Sequence, residues 1–195
     1  MARKLGSVQK AVESVSILTT IINDFEKNEY FGKPPSSIAI YYEIRGSYFN
    51  IAATIIDEQG DRTSAEYYLR SADDYNKAIS LIATDRRSAW FAEMANNYAH
   101  TAYESGNLTY IAKSPNLLKD AIPIFDATGR TEDSIIARIN LARSIQASPG
   151  SLSSEDQAKV REVAQQAAML LRSYVGRNKE WAARRLKEIN GNSGR

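Results

Sequence analysis

Three times along this chain a pair of adjacent residues, the second of them alanine, is followed three positions later by a bulky residue. The copies are Ala52-Ala53-x-x-Ile56, Met94-Ala95-x-x-Tyr98 and Leu141-Ala142-x-x-Ile145. On a helix this spacing puts the members on one face, and the alanine lets a neighbouring helix approach closely. Ala53 to Ala95 is 42 residues and Ala95 to Ala142 is 47, periods that imply arrays of helix pairs rather than one closed core. A face of that kind has to be stacked on.

The chain has 195 residues, enough for one large domain or a short solenoid, and its 43% hydrophobic content suffices for a core. Cysteine is absent, which removes disulfides and thiolate chemistry together and agrees with a reducing compartment. No stretch reaches the roughly 18 apolar residues of a membrane span. The first ten residues lack the apolar run of a signal peptide. These features predict a soluble, cytoplasmic protein. The net charge of +2 is unevenly spread, because residues from Arg172 onward carry seven cations against Glu180 and Glu188.

Apolar spacing of three and four predicts helices throughout. Val8, Val12, Val15, Leu18, Ile22 and Phe25 outline the first, from about Ser7 to Glu26, and Gly32, Pro34 and Pro35 follow as an extended connector. The second spans roughly Ser37 to Gln59 and stops at Gly60-Asp61. Thr63-x-x-Glu66 then reads as a capping box for a third helix reaching about Ile82. Helices joined so tightly are expected to lie antiparallel.

The fourth helix, about Arg86 to Glu104, carries Trp90 and Phe91 side by side, so both are not expected to face one neighbour; Gly106-Asn107 ends it. Ser114-Pro115 resembles an N-cap with proline at the first helical position of a fifth helix, interrupted by Pro123. Gly129 closes it, and Thr131-Glu132-Asp133 opens a sixth with a cap and two acids, lasting to about Gln146. After a polar turn at 147–154, Ser154-x-x-Gln157 predicts a cap for a seventh helix that stops at Gly176. A short basic helix, Asn178 to Ile189, completes about eight. No period-two segment competes, so the fold class is all-α.

These residues resemble the tetratricopeptide-repeat family. Phe49, Ala52, Ala53 and Ile56, the turn Gly60-Asp61, then Ala65, Leu69 and Ala72 match that family's helix-pair pattern. A second copy keeps Phe91, Met94, Ala95 and Tyr98, with its second helix displaced by an insertion from Gly106 to Lys113; a third has Arg138 where an aromatic is usual. The repeats exceed the family's 34 residues. In this they are similar to long-helix variants in kinesin light chains and in soluble NSF attachment proteins, and the run from Tyr67 to Ala78 weakly resembles the attachment proteins in particular. The resemblance implies a right-handed α-solenoid of antiparallel helix pairs. Residues 1–195 form one helical-repeat domain, with 1–35 as N-terminal helix and linker, 36–175 as three helix pairs and 176–195 as a basic capping helix.

Catalytic chemistry finds little support. His100 is the only histidine, and Asp73-Asp74 and Asp57-Glu58 point about 100° apart on a helix, as solvated residues do. There is no phosphate loop, nucleophile elbow or zinc spacing. The reading is a non-enzyme with no cofactor and no metal. Most tyrosines, including Tyr48, Tyr68, Tyr75 and Tyr98, fall at core spacing, whereas Tyr30, Tyr103 and Tyr110 lie near loops.

If the pairs stack as the resemblance implies, the first helix of each lines a concave side. That register projects Asn50, Thr54 and Asp57 from one layer, Glu93, Asn96 and His100 from the next, and Asn140 and Arg143 from the third. Such groups suit an extended or helical peptide. Arg143 is the one cation among them, so capture of a peptide C-terminus is not expected. The expected role is an adaptor or scaffold for a protein or peptide partner. A structural subunit of a homo- or hetero-oligomer is the alternative. Nucleic acid rests only on the basic tail, and a membrane surface ranks with it, last.

Overall fold

The computed structural model describes residues 2–27, 35–61, 63–105, 108–147 and 152–192. Among them are eight helices and no strand: α1 (Ala2–Lys27), α2 (Pro35–Asp57), α3 (Ser64–Ser80), α4 (Arg86–Glu104), α5 (Leu108–Ala127), α6 (Thr131–Gln146), α7 (Ser154–Ser173) and α8 (Lys179–Asn192). Gly32, Pro34, Tyr30, Gly106-Asn107 and residues 148–151 of the expected turn lie outside the described residues. No helix is long and apolar enough to cross a membrane among those described.

Each helix packs on the next in sequence, and α3 also meets α5, α4 meets α6, and α6 meets α8. The alanines of the recurring trio explain the closeness: Ala52, Ala53, Ala95 and Ala142 are all fully buried. Between α3 and α4 runs an aromatic seam. Tyr98 stacks on Tyr68 at 6.0 Å and lies 5.9 Å from Tyr75. Trp90 and Phe91 both reach Tyr75, at 5.6 and 5.8 Å. The expectation that these neighbours could not share a partner is therefore corrected. Phe91 meets Tyr75 from the buried interior, while Trp90, 40% exposed, meets it edge-on from the rim.

Two helices end as glycine dictates. Gly60 and Gly129 have φ of +73° and +68°, the left-handed conformation that lets the following N–H turn back. Asp61 N donates to Ile56 O, and Arg130 N to Phe125 O.

Helix starts depart from the sequence reading. Thr63 makes no side-chain cap; Asp61 Oδ1 instead accepts from Thr63 N at 2.9 Å, and Glu66 pairs with Arg70. α6 likewise has no side-chain cap, and Thr131 is already helical, although Glu132 and Asp133 occupy the first turn. The cap of α7 is Ser153, paired with Asp156, one residue before the expected box. Asp85, unremarked in the sequence, caps α4 by accepting from Arg87 N and Ser88 N. Pro35 begins α2 rather than prolonging the connector, as a residue with no N–H to donate can.

The largest correction concerns α5. It begins at Leu108, so residues 108–113 are helix rather than a displacing insertion, and Pro115 and Pro123 both lie inside it. Ser114 does not cap. It is buried, its Oγ donating to Ala99 O of α4 at 3.2 Å.

Arg138, at the position where the resemblance expects an aromatic, is buried. Its guanidinium donates to Asp126 Oδ1 and Oδ2 at 3.1 and 2.8 Å and to Gln166 Oε1 at 3.2 Å. It thus ties α6 to α5 and α7, replacing ring packing by charge-assisted hydrogen bonds.

Candidate functional site: a polar cleft between α4, α6 and α8

Spacing along α4 brings Asn96, His100 and Tyr103 to one side of that helix, and Asn140 and Arg143 are three apart on α6. Packing of α6 against α4 and α8 then gathers part of this set. The His100 and Tyr103 rings stack at 5.7 Å with planes 21° apart. The Arg143 guanidinium lies 5.7 Å from the Tyr103 centroid, a cation–aromatic contact that restrains both side chains. A cleft of about 280 Å³ opens beside them, lined by Tyr103, Arg143, Gln146, Ala147, Glu188 and Ile189. Gln146 Nε2 donates to Ile189 O at 3.1 Å, fixing the end of α8 across α6.

His100 Nε2 sits 3.2 Å from Glu104 Oε1. Burial pushes the imidazole below its ordinary pKa; the Glu104 carboxylate opposes this, and Arg143 and Arg185 reinforce it. The ring is therefore neutral near pH 7, with Nε2 as donor and Nδ1 as acceptor. Nδ1 is buried and has no hydrogen-bond partner among the described residues. The wall thus combines an aromatic face, a guanidinium, an amide and the Glu188 carboxylate, which pairs with Arg185 at 2.8 Å. Such groups bind by hydrogen bonding and stacking.

The eight projected residues do not form one surface. Asn96 and Asn140 are only 3% and 2% exposed, with each Oδ1 buried and without a hydrogen-bond partner among the described residues; they belong to the interior, where a partner has no access. Asn76 Oδ1 is a further such atom, away on α3. Glu93 is held at 2.6 Å by Arg130 at the other end of α4. Asn50 O accepts from Thr54 Oγ1, and Asp57 Oδ1 accepts from Ser64 Oγ at 3.4 Å, both on the α2 layer. From different helices, His100 and Arg143 are brought together, through Tyr103.

Gln146, Arg185 and Glu188 were missed by the sequence reading. Tyr103, singled out only as a tyrosine near a loop, proves central. The signal for Arg185 and Glu188 was present in the basic last helix, but nothing local indicated that α8 meets α6. Among the described residues, no grouping of three or more His, Asp or Glu could hold a metal ion. No family model, curated protein or solved structure matches this chain.

Proposed function

We propose that this chain is a helical-repeat interaction protein, its antiparallel helix pairs stacked as a right-handed solenoid, that binds a peptide segment of a partner protein. The observation that carries this reading is the stacked series His100, Tyr103 and Arg143 beside a cleft built by three helices that are not consecutive. Side chains already ordered by one another lose little freedom on binding. A volume near 280 Å³ suits one or two side chains of a peptide, the remainder lying across the helices. The reversed order of contacts between α2 and α3 supports antiparallel pairing: Ser64 bonds Asp57, whereas Tyr75 bonds Ser47.

A photo-crosslinking amino acid placed at Gln146, with Glu162 on the exposed face of α7 as reference, tests this in native lysate. Discrete adducts at position 146 that are lost on Tyr103→Ala or Arg143→Ala are expected. Identical adduct patterns at both positions would overturn the reading.

Assembly with further copies is the second reading, favoured by one feature. Ile40, Ile44 and Ile51, spaced along one side of α2, all remain exposed, which is unusual for three large aliphatic residues sharing a helix face. Sedimentation across a concentration series decides it: a mass that stays at one chain rejects self-association.

A further inference from the structure

A second groove lies elsewhere, between α7 and α8, with a volume of about 740 Å³. Its floor is apolar, formed by Ala168 and Leu171 of α7 and Ala183 and Leu186 of α8. Its rim is cationic: Arg172, Lys179 and Lys187 line it, and no acidic residue does. All three cations are exposed, and none of them takes part in an ion pair among the described residues.

We propose that this groove docks an amphipathic helix of acidic character from a partner protein. The argument is shape and charge together. Lys179, Ala183, Lys187 and Asn190 fall at helical spacing along one side of α8, so the groove runs beside that helix from Lys179 to Asn190, roughly 16 Å or three turns. The two alanines keep the floor shallow enough for a helix backbone to approach, as alanines do between the helices of this fold. An incoming apolar stripe would cover Leu171 and Leu186, and carboxylates flanking it would meet the three cations. Nucleic acid fits less well, because the floor carries no aromatic ring on which a base could stack.

Fluorescence anisotropy on the full chain tests this with four labelled probes. These are a short helical peptide with a leucine stripe flanked by glutamates, its counterpart with lysines, an oligo(dT) strand, and vesicles containing phosphatidylserine. The glutamate peptide is expected to bind at least about tenfold more tightly than the lysine peptide. Lys179→Glu with Lys187→Glu should reverse that preference, and Ala183→Trp should weaken both peptides by filling the floor. Both changes are at exposed positions, and circular dichroism verifies folding. Equal binding of the two peptides, or insensitivity to Ala183→Trp, overturns the proposal. Tighter binding of oligo(dT) or vesicles, abolished by the charge reversal alone, overturns it in favour of a general polyanion surface.

Discussion

Arg45 on α2 and Asp74 on α3 form a bidentate pair inside the protein. Nε lies 2.8 Å from Oδ2 and Nη2 lies 2.6 Å from Oδ1. Arg45 Nη1 also donates to Thr19 Oγ1 of α1 at 3.1 Å, so one guanidinium joins three helices. Beside it Ser71 Oγ donates to Gly46 O at 2.7 Å, and the Ser47 and Tyr75 hydroxyls are 2.9 Å apart. The contact between α2 and α3 is therefore held in one register by polar groups as well as by packing.

Removing one member of that pair leaves a buried charge uncompensated. Asp74→Ala is expected to cost about 3–5 kcal/mol, measured by urea denaturation. Arg45→Met with Asp74→Leu should recover most of that loss, because two apolar side chains need no counter-charge. A loss near zero for Asp74→Ala would show that the pair does not hold the helices together.

Gly46 sits at a close approach of these helices. A Cβ there would meet Tyr75 Cε2 at 3.2 Å, Asp74 Cβ at 3.3 Å and Ser71 O at 3.3 Å. Alanine gains up to about 1 kcal/mol of helix propensity over glycine, but overpacking costs about 1–3 kcal/mol. The crowding atoms are a buried ring, a Cβ and a backbone oxygen, none of which yields easily. Gly46→Ala should therefore destabilise the protein by about 1 kcal/mol net, and a rise in melting temperature would contradict this.

His100 should give one pair of imidazole ring-proton signals in the NMR spectrum, since the chain has one histidine. Its titration midpoint should fall below the ordinary value of about 6.5, chiefly through burial. Glu104→Gln should lower it further, and Arg143→Gln or Arg185→Gln should raise it. The unfolded chain binds this proton at higher pH than the folded one. Stability should accordingly decline as the pH falls below about 6.5, down to the folded midpoint. His100→Gln should flatten that decline. A midpoint above the ordinary value would mean that the ring is not buried as described.

Asp126 is also held below its ordinary value, but by its partners rather than by burial. Burial pushes its carboxyl up, but hydrogen bonds from Arg138 and Ser134 and the charge of Arg138 outweigh that, leaving it below the usual range. Its contribution is complete above the unfolded value and disappears as the pH drops through the folded one. Carboxyl NMR should show this midpoint rising in Arg138→Met. An unchanged midpoint would show that Arg138 does not stabilise the carboxylate.

Much of the secondary structure was legible from spacing. The apolar stripe from Val8 to Phe25 lies within α1, and Gly60 and Gly129 mark helix ends by the backbone conformation glycine permits. Caps were less legible, because Thr63 and Ser154 have suitable side chains without the geometry to use them. Ser114-Pro115 misled for a related reason. Proline suits a helix start, but the helix had already begun at Leu108, and a cap motif carries no information about the turn before it.

Helical periodicity and turn chemistry are local properties, written in residues three or four apart, and so the order of eight helices and the small residues at their contacts could be read along the chain. Meetings between distant segments are not local. Arg138 closing on Asp126, α8 lying across α6, and Asn96 and Asn140 turning inward while His100 and Arg143 reach one cleft all depend on how far each helix slides and rotates on its neighbours. A rotation of one residue, about 100°, exchanges buried and exposed positions. That choice is made by packing of the whole array, and with it the composition of the site.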